Sequence, residues 1–187
     1  NNPDLASVSA VQNQFFIDVA SIKSMYAVSP AEQCNLYISA QDDPGSILGV
    51  ATFPWDPNAT TEQSGLWLNT IAIGTDMHTA AHEMGHCLGL WHTFHGVSEV
   101  VDCNDPCYEF ASGLEGDTRG DLTSDTPPTP RNYTCCPVIN ADCEGVYWGD
   151  TQLENFMGYP PDGCLHLFTP QQVKRQQCWR ASALPNW

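Results

Sequence analysis

Eleven consecutive residues, His82-Glu83-Met84-Gly85-His86-Cys87-Leu88-Gly89-Leu90-Trp91-His92, follow the pattern H-E-x-x-H-x-x-G-x-x-H. Five fixed positions coincide by chance in a chain this long with a probability below about one in ten thousand. The spacing has a direct chemical meaning. On a helix, His82 and His86 lie about 6 Å apart along the axis and on one face, so both imidazoles can address a single ion. Neutral imidazole nitrogen suits Zn²⁺. Gly89 allows a positive-φ exit from the helix, and the chain can then double back to bring His92 to the same ion. Three protein ligands leave a fourth position open, the mark of a catalytic rather than a structural site. Glu83 points toward that position, where a carboxylate can take a proton from a polarised water and return it to a leaving amine.

Further along, Asn155-Phe156-Met157-Gly158-Tyr159 places a methionine and a phenol 65 and 67 residues beyond the third histidine. A loop methionine is ordinarily core filler, but Tyr159 two residues on and the extended histidine motif upstream set this one apart. His78, His95 and His166 lack the spacing and read as ordinary surface or core residues. Cys87 reads as buried or disulfide-bonded rather than as a fourth ligand.

The elements that must position these groups are only partly regular. Residues 15–20, 35–39, 48–53 and 66–73 are β-branched or aromatic runs bounded by turn formers, and read as strands. Residues 21–33 can hold a short helix, limited by Pro30. Thr79 to Leu90 reads as the zinc-site helix, with Thr75 or Asp76 capping its start and Gly89 ending it. Residues 93–165 are rich in Gly, Pro, Asp, Thr and Cys, and a helix from Pro170 to about Arg180 closes the chain.

The chain has 187 residues, with 6 Lys+Arg against 22 Asp+Glu and a net charge of -16. That balance argues against nucleic acid, which needs a basic face, and against anionic lipid. No run approaches the length of a membrane span, and Asn1-Asn2-Pro3-Asp4 lacks the basic flank and apolar stretch of a signal peptide, so a mature, soluble chain is expected. Nine cysteines without a Cys-x-x-Cys pair point to loop stapling in an oxidising compartment. Two sequons, at Asn58 and Asn132, point the same way.

The extended zinc motif resembles the metzincin metallopeptidases, and smaller details resemble the pappalysin family. These are His92-Thr93-Phe94, Ser124-Asp125-Thr126-Pro127, Asn155-Phe156-Met157 with Tyr159, Phe168-Thr169-Pro170 with Gln172, and Leu48 to Pro54. The resemblance runs from about residue 35 to about residue 175. It implies an α+β metallopeptidase catalytic domain with a cleft between its halves. The upper subdomain, about 1–89, is a twisted mixed sheet with the zinc-site helix. The lower, about 90–187, is irregular, disulfide-stapled and ends in a helix.

By the family pattern, His82, His86 and His92 bind one zinc, Glu83 is the general base, Met157 underlies the ligands and Tyr159 stabilises the oxyanion. Leu48, Gly49, Val50 and Ala51 form the cleft-edge strand on which an extended peptide pairs. The resemblance further implies a calcium loop at Asp121, Thr123, Asp125 and Thr126; such residues also make plain turns, and both readings stay open. In an archaeal member, an acidic residue matching Asp162 favours a basic side chain after the scissile bond. The family's bridges imply Cys136 with Cys164 and Cys143 with Cys103 or Cys107, with Cys135 taking the remaining partner. Cys34, Cys87 and Cys178 fall outside that pattern.

Two features depart from it. The part ahead of Asn35 is short, where the family has another strand and a long backing helix, and Gly158 stands where the family commonly has Asp. The expectation is a secreted zinc endopeptidase acting on protein or peptide substrates. Its alternatives are a catalytically silent, zinc-stapled binding protein and a disulfide-rich interaction module.

Overall fold

The computed structural model describes residues 18–40, 47–113, 115–149 and 151–187. The chain divides into two compact units, one of residues 1–87 with 180–187 and one of residues 88–179.

In the first unit, three short strands form a mixed sheet of order β1-β3-β2, with β1 Leu36–Ser39, β2 Gly49–Ala51 and β3 Leu66–Asn69. β1 runs parallel to β3, pairing Leu36 with Leu66, and β2 runs antiparallel, pairing Val50 with Trp67. All four residues of β3 are buried because both faces of this central strand are covered. Trp67 packs with Tyr37 and with Ile22 of helix α1 (Val19–Tyr26). Leu66 and Leu68 pack on the other side with Cys87 and Met84 of helix α2 (Thr79–Cys87). Apolar side chains that alternate along a strand thus find a helix on each face.

Three local expectations need correction. Of the strand expected at 15–20, residues 15–17 lie outside the described residues and the remainder starts α1. Asp18 caps that helix, its carboxylate accepting from Ala20 N at 3.1 Å, and an N-cap of this type overrides the strand-like composition. The strand expected over 66–73 stops at Asn69, whose side chain accepts from Ile71 N at 3.2 Å and turns the chain into a 3-10 helix, Thr70–Ala72. Asp76 does not cap α2 but adopts a left-handed φ of 63°, and the helix starts three residues later at Thr79.

Lys23 of α1 is buried in this unit. Its ammonium group donates to Thr52 Oγ1 at 2.9 Å and to the carbonyls of Gln63 and Gly65 at 3.1 and 2.9 Å, which satisfies all three of its protons. Burial lowers its pKa, while nearby anionic groups oppose that effect.

The second unit holds little regular structure beyond helix α3 (Pro170–Ala183), of which residues 170–179 belong here. Thr169 opens α3 as a capping box. Its hydroxyl accepts from Gln172 N at 3.2 Å, and Gln172 Oε1 accepts from Thr169 N at 2.9 Å. Two disulfides staple the irregular stretch, Cys103–Cys143 and Cys135–Cys164. The second corrects the expected Cys136–Cys164 pairing. The Cys136 carbonyl accepts from Asn132 Nδ2 and Thr134 Oγ1, in a turn that leaves the Cys136 side chain exposed. Asn132 is itself buried by that turn, so its sequon is closed in the folded chain, whereas Asn58 is exposed.

Candidate metal centre and active site

Helix α2 carries His82, Glu83 and His86, all buried. The two imidazole rings meet edge to face at 4.7 Å, their Nε2 atoms 3.1 Å apart. Phe53 packs edge-on to His86 at 5.0 Å and closes one side of the pair. Gly89 has a φ of 86°, the left-handed exit that the spacing requires. A side chain there would collide with the indole of Trp179, so glycine is fixed by space as well as by dihedral. One ligand atom from each of His82, His86 and His92 lies within 4.8 Å of the others, the one group of three or more metal-ligating side chains among the described residues. Three buried or half-buried imidazoles at this separation fit a zinc ion.

Glu83 sits against β2. A methyl group built on Gly49 would fall 2.5 Å from Glu83 Cγ and 2.6 Å from Oε1, so the carboxylate arm occupies the space that Gly49 leaves empty. Burial raises the Glu83 pKa to about 7, partly opposed by the Lys23 ammonium group. A carboxylate poised near neutrality suits proton transfer in both directions.

A residue not anticipated from the sequence stands behind His92. Residues His95–Glu99 form a single π-helical turn, closed by Val100 N donating to His95 O at 2.9 Å. That turn brings Glu99 back to both histidines. His92 Nδ1 lies 2.7 Å from Glu99 Oε1, and His95 Nδ1 2.7 Å from Glu99 Oε2. Arg131 approaches the same carboxylate at 3.7 Å. Burial works against ionising Glu99, but the hydrogen bonds and charges of the two rings outweigh it and hold the carboxyl well below the usual range. With Nδ1 occupied, Nε2 of His92 is the ring atom that could hold a metal, as in the usual partnership of a ligating histidine with an outer carboxylate. The clue in the sequence was a carboxylate seven residues after the third histidine; only the π-turn makes that spacing meaningful.

The loop of Met157 and Tyr159 is built in the second unit. Met157 is fully buried, its N–H donating to Asn155 Oδ1 at 2.9 Å and its carbonyl accepting from Thr93 N at 3.2 Å. Asn155 is clamped in turn by Gln152 and by Gln172 of α3. Tyr159 remains 39% exposed while its ring packs edge-on to His92 at 4.9 Å and to Phe94 at 4.8 Å.

The four residues of the expected calcium loop divide. Asp121, Thr123 and Thr126 are buried together, with both threonine hydroxyls bonded to Asp121 Oδ1 at 2.7 and 2.8 Å. Asp125 turns away and caps α3, accepting from Thr169 Oγ1 at 2.6 Å and Gln171 N at 2.9 Å. Burial raises the Asp121 pKa to about 7, with the threonine bonds and Arg175 opposing. Glu109, also buried, is raised to about 8 by burial and by the Asp121 charge. Asp162 opens a 3-10 turn that ends at the disulfide-bonded Cys164. In β2, an edge strand, Leu48 just ahead of it and Val50 within it are exposed.

A mixed sheet backing a helix with this histidine-glutamate pattern, a glycine exit to a third histidine and a buried methionine turn define the metzincin class of metallopeptidase. The solved structure of mature mirolysin from Tannerella forsythia, in complex with a cleaved peptide, has the same fold at a TM-score of 0.63 and 23% identity, over 88% of this chain and 60% of that one. Within that class the chain belongs to the pappalysin (peptidase M43) family, whose model, described as pregnancy-associated plasma protein-A, matches residues 20–179. Human pappalysin-1 is 36% identical over 176 residues, 92% of this chain but 11% of that protein. An extracellular metalloprotease of Arthroderma otae is 31% identical over 174 residues, 88% of this chain and 57% of that protein. The chain therefore spans about a tenth of pappalysin-1 and little more than half of the fungal relative.

Proposed function

We propose that this chain is the catalytic domain of a secreted zinc-dependent endopeptidase, its two compact units corresponding to the two subdomains expected from the sequence. The observation that carries the reading is the clustering of the His82, His86 and His92 ligand atoms beside a buried Glu83. Relatives named extracellular metalloproteases, and two stapling disulfides, support an extracellular setting.

His82, His86 and His92 would hold the zinc, with Glu99 fixing the His92 ring. When bound, zinc supplies Lewis acidity at the scissile carbonyl and lowers the pKa of water toward neutrality. Glu83 accepts a proton on its carboxylate from the attacking water and delivers it to the leaving amine nitrogen. The Tyr159 hydroxyl donates to the oxygen that gains negative charge. The open edge of β2, with Leu48, Gly49, Val50 and Ala51, offers backbone N–H and C=O groups to an extended peptide. Asp162 attracts a basic side chain after the scissile bond. Buried Asp121, with Thr123 and Thr126, supports a calcium reading at oxygen ligands, whereas Asp125 is engaged in capping α3. The exposed Asn58 sequon is the one glycosylation site retained.

The experiment is a fluorogenic peptide-library digestion with the purified chain, followed by sequencing of the cut sites. Chelation abolishes cleavage and stoichiometric zinc restores it, and Arg or Lys is enriched just after the cut. A zinc-loaded chain that cleaves nothing rejects the endopeptidase reading, and a flat or apolar profile after the cut rejects the role of Asp162.

A further inference from the structure

Cys34 and Cys87 belong to neither disulfide of the second unit and to no bridge implied by the family resemblance. The fold nonetheless brings them together. Cys87, the last residue of α2, is fully buried against Leu66 and Leu68 of β3. Cys34 packs against the same cluster from the segment that enters β1. Its neighbour Asn35 is held there by its carbonyl, which accepts from Leu66 N at 3.0 Å. Both thiols therefore lie in one small apolar cluster. Trp187 covers the cluster from the C-terminus, its indole N–H donating to Pro30 O at 3.0 Å.

We infer that Cys34 and Cys87 are joined in a third disulfide, which fastens the segment entering β1 to the end of the helix that carries His82 and His86. Two cysteines packed in one cluster can close to the bonded separation of about 2.05 Å. The chemistry balances with a small disulfide such as oxidised glutathione as the oxidant. The half-buried Cys34 thiolate attacks a glutathione sulfur, breaking its S–S bond, forming a mixed disulfide and expelling one glutathione thiolate. Cys87 then attacks the Cys34 sulfur from inside and expels the second. One protein S–S bond forms, one glutathione S–S bond breaks, and two electrons and the two thiol protons pass to glutathione. The difference in burial sets the order, because only Cys34 is accessible to an external disulfide.

The inference draws on the extracellular reading only for the supply of oxidant, and the test provides that oxidant in the tube. The full chain, refolded in a glutathione redox buffer, is alkylated without reduction and digested after glutamate. Cleavage after Glu32, Glu62, Glu83 and Glu99 yields peptides 33–62 and 84–99, each with a single cysteine. The bridge predicts that the two peptides travel as one species lighter than their sum by two hydrogens and separate on reduction. Trypsin cannot make this distinction, since no Lys or Arg lies between Lys23 and Arg119.

Recovery of both peptides singly alkylated, or of either one linked to a different cysteine, overturns the bridge. A second readout is thermal unfolding. Cys34→Ser and Cys87→Ser each lower Tm by about 10 °C, and the double substitution lowers it no further, as expected for a bond closing a loop of about fifty residues. Additive losses in the double variant contradict the bridge. The half-buried position of Cys34 keeps that single variant informative if Cys87→Ser fails to fold. A chain with the bridge intact but no peptidase activity counts against the proposed function alone.

Discussion

Gly49→Ala tests how the general base is positioned. The substitution adds one methyl group to β2, and that methyl would sit 2.5 Å from Glu83 Cγ, 2.8 Å from Cδ and 2.6 Å from Oε1. Ordinary carbon contacts begin near about 3.5 Å, so the arm must retreat by about 1 Å. Because Cγ itself is in the collision, rotating the terminal carboxylate does not relieve it. A misplacement of about 1 Å at a reacting group costs roughly 100-fold in rate. The predicted outcome is a kcat lower by about two orders of magnitude with KM little changed, since β2 keeps its backbone pairing. Zinc content stays at one per chain, because no histidine is touched. The assay is steady-state cleavage of a quenched fluorescent peptide, alongside metal analysis and thermal unfolding. A folded, zinc-loaded Gly49→Ala protein with parental kcat would refute the assignment of Glu83's seat to the missing side chain.

Glu99→Gln loses the charge behind His92 and His95, and zinc affinity falls by about 10- to 100-fold in competition with a fluorescent chelator, while Glu83 is undisturbed. Asn155→Ala strips partners from Met157 N–H and Gln172, and chemical denaturation shows a stability loss of about 3 kcal/mol. Buried Glu109, with its pKa raised to about 8 from 4.5, binds more protons in the folded than in the unfolded chain over that interval. Its contribution to stability therefore falls as pH rises from about 5 to about 8. Glu109→Gln in calcium-free buffer flattens that slope and raises stability at pH 8, as read from denaturation midpoints across the range.

The helix was legible because its pattern is local: eleven contiguous residues specify the histidine face, the buried glutamate and the glycine exit. β1, β2 and the core of β3 were legible from composition, though Asn69 ended β3 early by capping the turn that follows. What escaped sequence reading depended on contacts between distant segments. Glu99 reaches His92 only because a π-turn inserts the right rise. Asp125 bonds to the start of α3 because that helix arrives with Thr169 and Gln171 beside it. Adjacent Cys135 and Cys136 could not be told apart by spacing, and the fold gives the bridge with Cys164 to Cys135. Gly49 looked like a strand residue on a peptide-binding edge, and the structure adds that its bareness makes room for Glu83.

The central claim is that Glu83 moves the proton while the three histidines hold the metal, and Glu83→Gln in zinc-loaded protein tests it most directly. The variant keeps the volume and burial of the side chain but removes its basicity. The account predicts one zinc per chain, parental Tm and peptide cleavage reduced by at least about 100-fold. Cleavage at the parental rate by the zinc-loaded variant would contradict it.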